Sequence, residues 1–286
     1  MKNCMITGGN SGIGFAAAMQ IAERGYAVTI VCRNEQRAEK ACNEIINKAR
    51  NPAVDYLIAD LSDMSAVRKV ADGYLQTHDT LDVLINNAAD FDLSVKKPII
   101  TADGMERQFA TNVAAPFLLS KLLFLSLKKS NDGRIINISS QGLCVYPFIK
   151  LDFGNLNSEH SYSPSKTYYQ NKLALLTWSL YMANEQKDIK IQTVRVTNVK
   201  IDMSRYDNIH PFLKQMYKIK SKFSISPEEM AKTYTALTTT SDYNGFLYNE
   251  KMTEVRANKS AYDVSAQKRL YELLCNKTDT FITKGM

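Results

Sequence analysis

Short unbroken apolar runs alternate along the chain with longer stretches whose apolar residues recur every three or four positions. The runs at 3–7 (NCMIT), 27–32 (AVTIVC), 54–59 (VDYLIA), 81–86 (LDVLIN), 133–138 (GRIINI), 190–196 (KIQTVRV) and 245–248 (GFLY) read as strands. Their apolar residues run on rather than alternate, as in strands covered on both faces. Helical patterns fall between them near 13–24, 35–49, 63–76, 103–129, 164–186 and 226–239. Ser226-Pro227-Glu228-Glu229 opens the last of these with a capping hydroxyl, a proline at the first position and acids in the first turn. The alternation predicts an α/β fold, a doubly wound parallel sheet of about seven strands, in a single domain over 1–286. Two stretches, 141–162 and 199–225, break the rhythm, and long loops at the carboxyl ends of such strands are where these sheets bind ligands.

Composition narrows the picture only a little. The 286 residues suffice for a substantial core, and 45% hydrophobic with 23% charged is an ordinary globular mix. The net charge is +7, yet no block of five or more Lys and Arg occurs. That distribution reads as a solvated basic surface suited to a polyanionic cofactor, and nucleic acid is not an expected partner. The five cysteines (Cys4, Cys32, Cys42, Cys144, Cys275) have no C-x-x-C spacing, which fits free thiols in a reducing compartment. His78, His160 and His210 are far apart, so no metal site is expected. No apolar run approaches the roughly 18 residues of a membrane span, and a cytoplasmic location is the expectation. Monomer and homodimer both stay open.

The first strand runs straight into TGGNSGIG, residues 7–14. Gly8, Gly12 and Gly14 stand where a tight turn brings backbone close to a pyrophosphate at a helix N-terminus, whose dipole and free N–H groups face the anion. The motif follows the first strand and opens the first helix, the context a dinucleotide fingerprint requires. After the second strand an NAD enzyme offers an acid to the ribose hydroxyls; here the chain reads VCRNEQR. Arg33, with Arg37, offers guanidinium suited to a 2′-phosphate, which favours NADP(H) over NAD(H).

HSYSPSKTYYQNKLALL, residues 160–176, holds two tyrosines each four before a lysine: Tyr162 before Lys166, and Tyr168 before Lys172. On a helix that spacing puts both side chains on one face, where an ammonium eases a phenol's proton away. Ser163 reads as an N-cap and Pro164 as the first helical residue, so Tyr162 falls outside the helix and Tyr168 well inside it. Tyr168 with Lys172 is the expected pair, and Tyr162 with Lys166 the alternative.

Together these stretches resemble the short-chain dehydrogenase/reductase family over most of the chain. ADL (59–61), LINNAA (84–89), ATNVAAPFLL (110–119) and IINISSQG (135–142) are similar to its ordered motifs. VCRN, the long insert between serine and tyrosine, YYQNKLALLTWSL and the tail from 245 resemble its retinol-dehydrogenase-like branch. The resemblance implies a Rossmann fold with a substrate lid over 199–225 and a C-terminal strand and helix over 245–286. It implies catalytic roles for Asn112, Ser140, Tyr168 and Lys172. Tyr168 exchanges the proton, Ser140 holds the substrate oxygen, Lys172 binds the nicotinamide ribose, and Asn112 anchors a water. It implies cofactor contacts from Thr7, Gly8, Asn10, Ser11, Gly12, Ile13, Gly14, Arg33, Arg37, Asp60, Leu61, Asn87 and Ala88, with Tyr168 and Lys172. The expected reaction interconverts a small apolar aldehyde or ketone and its alcohol; an NADP(H)-sensing protein of the same fold is the alternative. The chain departs from the pattern after the sixth strand. Thr197-Asn198 stands in place of Pro-Gly, where asparagine tolerates a left-handed backbone, and Ile201 stands near the place of the family's nicotinamide-binding threonine.

Overall fold

The computed structural model describes residues 1–200 and 224–283. Seven parallel strands, β1 (Asn3–Thr7), β2 (Ala27–Cys32), β3 (Val54–Ile58), β4 (Val83–Asn86), β5 (Arg134–Ser140), β6 (Lys190–Val196) and β7 (Leu247–Tyr248), lie in the order β3-β2-β1-β4-β5-β6-β7. The order reverses between β1 and β4, and the crevice outside the strand ends at such a reversal is where doubly wound sheets take their ligands.

The helices are α1 (Gly12–Ala22), α2 (Glu35–Ala49), α3 (Met64–Leu75), α4 (Arg107–Phe109), α5 (Ala115–Leu122), α6 (Phe124–Lys128), α7 (Pro164–Glu185), α8 (Pro227–Thr239) and α9 (Val264–Thr283). Alternate residues of each strand feed two different cores, which is why the strands carry no polar alternation. Met5, Val31, Leu84 and Ile135 pack under α3, α5, α7 and α9, with Phe117 and Trp178 at the centre of that layer. Ile6, Ile30, Ile85 and Ile136 pack under α1, α2 and α8. Trp178 is fully buried and meets Phe117 edge-on, with ring centroids 5.6 Å apart.

The single helix expected over 103–129 is instead a broken path. After α4 the backbone widens into a π-helical turn, Ala110–Ala114, before α5 and α6. Proline at 116 explains part of the break, since it has no N–H to donate to the carbonyl of Asn112. Strand 245–248 shortens to Leu247–Tyr248, which pairs with β6. Ser163 does occupy the N-cap of α7, but its side chain makes no capping bond. Asn198 does not take up a left-handed turn; among the described residues that backbone falls to Arg50, Ser158 and Met252 and to four glycines. Ile201 and most of the expected lid lie outside the described residues. Among the described residues, no helix is long and apolar enough to cross a membrane, and all five cysteines are free.

Candidate active site

The turn after β1 is shaped by what it excludes. Gly8 (φ 68°) and Gly12 (φ 60°) are left-handed, a conformation that a side chain penalises. A Cβ on Gly14 would stand 2.4 Å from the carbonyl oxygen of Gly8 and 2.5 Å from Nδ2 of Asn87, so only glycine lets α1 begin this close to the turn. Asn34, Asp63 and Ser226 cap α2, α3 and α8 through their side chains. Ser11, at the N-cap of α1, makes no such bond, and the first turn of α1 carries no acid. Its N–H groups and dipole are left for an anion.

Beneath the turn, Thr7 ties β1 to the end of β4. Its hydroxyl accepts from the amides of Asn87 and Ala88, both at 3.0 Å. Asn87 donates to the Thr7 carbonyl at 2.9 Å and accepts from the hydroxyl of Tyr234 at 3.2 Å. Tyr234 is fully buried on α8, and burial, with a smaller contribution from Tyr168, holds its pKa well above the ordinary phenol value.

A cavity of about 850 Å³ opens over this turn. Its walls include Gly8, Asn10, Ser11, Gly12, Ile13 and Gly14, then Arg33 and Arg37, then Asp60 and Leu61, and Asn87 with Ala88. Of the cofactor residues expected from the sequence, Thr7, Tyr168 and Lys172 do not touch it. Asn34, Asp90, Arg107, Thr111, Val199, Lys200 and Pro227 also line it, and sequence reasoning missed them. Arg107 and Asp90 form an ion pair at 2.8 Å across a gap of seventeen residues that no local pattern announces. Asn112, buried within the π-helical turn, grips the backbone of Asp90 twice: its Oδ1 accepts from Asp90 N at 2.7 Å and its Nδ2 donates to Asp90 O at 2.9 Å. A π turn at such a residue is a common device for aiming a functional group.

The tyrosines separate as the helix start requires. Tyr162 lies before α7, its hydroxyl accepting from Nε2 of Gln108 at 3.1 Å, and burial raises its pKa. Tyr168 lies within α7, its ring 4.3 Å (centroids) from Phe91 and 5.3 Å from Tyr169. One turn on, Lys172 is buried, its ammonium 5.6 Å from the centre of the Tyr168 ring and donating to the Ile138 carbonyl at 2.7 Å. Burial pulls its pKa down from 10.5 to about 8. That bond fastens α7 to β5 two residues before Ser140. Ser140 ends the strand half-buried, its Oγ accepting from Gly142 N at 3.1 Å. Ser139 is buried inside the strand, and its hydroxyl has no partner among the described residues.

A doubly wound sheet with an anion cradle at its switch point, and a tyrosine-lysine helix crossing the neighbouring strand, defines the dinucleotide-dependent oxidoreductase class. Residues 2–211 match the family model for short chain dehydrogenase. The chain is 43% identical over 169 residues to dehydrogenase/reductase SDR family member 12 of Bos taurus, a match spanning 59% of this chain and about half, 51%, of that protein. It is 32% identical over 290 residues to retinol dehydrogenase 14 of Homo sapiens, covering 95% of this chain and 84% of that one. Its fold is similar to the alcohol dehydrogenase of the archaeon Thermococcus sibiricus complexed with 5-hydroxy-NADP, with a TM-score of 0.66 at 20% identity over 90% of this chain and all of that one. The chain belongs to the short-chain dehydrogenase/reductase family, in its retinol-dehydrogenase-like branch. Its fold is therefore one that binds a nicotinamide cofactor, and the cradle at α1 fits the diphosphate of such a group.

Proposed function

We propose that the chain is an NADP(H)-dependent oxidoreductase that interconverts an apolar aldehyde or ketone and its alcohol. The observation that carries this reading is the pairing on α7 of Tyr168 with a buried Lys172 whose ammonium stands 5.6 Å from its ring, beside the strand that ends in Ser140. The bound cofactor supplies or accepts the hydride; the chain's own residues manage the proton and the charge.

Carbonyl reduction needs a proton at oxygen, and an unperturbed tyrosine titrates near pH ~10. Lys172, with its pKa drawn down to about 8, is still mostly protonated at neutral pH. Its positive charge favours the phenolate of Tyr168 and so eases release of the phenolic proton to the substrate. Ser140 donates to the substrate oxygen and holds the alkoxide charge as it develops. Its place at the strand end suits that role better than the interior position of Ser139. Asn112 braces the loop after β4, and proline at 116 leaves its carbonyl without the amide of an α-helical bond, which suits it to hold a water in the proton path. Arg33 and Arg37 support the choice of NADP(H): both line the cavity, and among the described residues neither pairs with a carboxylate. The free thiols fit a reducing cytoplasm, where we place the reaction.

The test follows NADPH oxidation with a panel of apolar aldehydes and ketones for wild type, Tyr168→Phe and Tyr162→Phe. Tyr168→Phe should lose about a hundredfold or more in turnover while still binding NADPH, and Tyr162→Phe should stay active. A dead Tyr162→Phe beside an active Tyr168→Phe overturns the assignment. A wild type that binds NADPH tightly and turns over no member of the panel favours a sensor of the same fold.

A further inference from the structure

The cavity wall beyond β6 carries a charge that the glycine turn does not account for. Thr197, which stands where the family's Pro-Gly turn is expected, donates its hydroxyl to Oε1 of Gln141 and is thereby engaged. The next residues are held in a short parallel clip. Ile225 N donates to Asn198 O at 3.1 Å, Lys200 N donates to Ile225 O at 2.9 Å, and Val199 bridges Ile225. Immediately afterwards α8 begins, and α8 is fastened to α1 through Gln20, which donates to the Glu228 carbonyl at 2.9 Å and accepts from the Thr235 hydroxyl at 3.0 Å. The backbone of Lys200 is thus fixed with respect to α1. Lys200 is exposed and lines the same cavity as Gly8, Ser11, Gly12 and Ile13, the residues of the uncapped helix start.

The element that carries this lysine decides which part of a dinucleotide it meets. Lys200 is clipped to Ile225 just before α8, whose Pro227 lines the same cavity and which is bonded to α1 through Gln20. Arg33 and Arg37 follow β2, on the other side of β1 from β6. We infer that Lys200 is a cationic clamp on the diphosphate of the bound dinucleotide, meeting it from the segment between β6 and α8. The clamp works by charge, where the family's turn works through glycine and threonine. The inference rests on the nucleotide-binding reading of this cavity, and on nothing about the substrate.

The experiment measures Kd by titration calorimetry for NADPH, NADH and adenosine 2′-monophosphate, with wild type, Lys200→Gln and Lys200→Arg. Both dinucleotides carry the diphosphate and the mononucleotide lacks it. Lys200→Gln should weaken NADPH and NADH by the same factor, about ten- to a hundredfold, and leave adenosine 2′-monophosphate unchanged. It should also flatten the salt dependence of NADPH binding. Lys200→Arg should keep most of the affinity. A loss confined to NADPH and the mononucleotide would put Lys200 on the 2′-phosphate, and equal Kd values throughout would remove it from the site; either result overturns the clamp. If wild type binds no dinucleotide, the nucleotide reading falls together with it. Unchanged thermal melts of the free variants separate a lost contact from a lost fold.

Discussion

Lys172 is held in the fold at a cost that varies with pH, and Lys172→Met exposes it. Burial lowers the pKa of this ammonium from 10.5 to about 8. The unfolded chain therefore binds the proton more tightly than the folded one, and stability must rise with pH across the window from about 8 to 10.5. Below that window the penalty is full, about 3 kcal/mol at pH 7; by pH 10 it has shrunk to about 1 kcal/mol. Methionine fills a similar volume with no charge to bury, and it forfeits the 2.7 Å bond to the Ile138 carbonyl at either pH. Urea unfolding of both proteins without cofactor, at pH 7 and pH 10 and in a Tyr168→Phe background, isolates the titration, because the phenol beside the ammonium is then absent from both. The stability of Lys172→Met relative to the lysine-bearing parent should be about 2 kcal/mol more favourable at pH 7 than at pH 10. An equal difference at both pH values would refute the claim that this lysine is desolvated. A difference of the opposite sign would mean that the folded state favours the charged form.

Gly14→Ala should weaken NADPH binding at least about tenfold, because its methyl would sit 2.4 Å from the Gly8 carbonyl oxygen and force the cradle open; unchanged affinity in calorimetry would contradict that geometry. Arg33→Ala should weaken NADPH by about ten- to a hundredfold and leave NADH unaffected, so that equal losses for both would return the question of cofactor choice to NAD(H). Asn137→Leu should destabilise the fold by about 1–3 kcal/mol in urea. It removes the acceptor of the Asn86 amide at 2.8 Å and the donor to Ser179 at 2.7 Å inside the sheet-helix layer, and a neutral result would show that the network is dispensable.

The fold was legible because its signals are local. Unbroken apolar runs marked all seven strands to within about two residues, and the residues Ser163-Pro164 and Ser226-Pro227 set helix starts that the structure keeps. The glycine turn was legible for the same reason, since left-handed backbone at Gly8 and Gly12 is a property of the residues themselves. Proline at 164 also placed Tyr162 outside the helix and Tyr168 inside it. What the pattern could not carry was anything built across the sheet. The helix around Asn112 looked continuous because its apolar period never lapses, yet the π turn and the hold on Asp90 arise only where that segment meets the loop after β4. The Arg107–Asp90 pair, the Tyr234–Asn87 bond and the reach of Lys200 into the cofactor cavity join residues from 17 to 147 positions apart, or different elements altogether. Sequence by itself determined the elements, their order and the residue types the chemistry needs, because propensity, capping and periodicity act over a few residues. Only the tertiary structure decided which charges face the cavity and how deeply Lys172 is buried, because desolvation and ion pairing depend on neighbours that the chain brings together last.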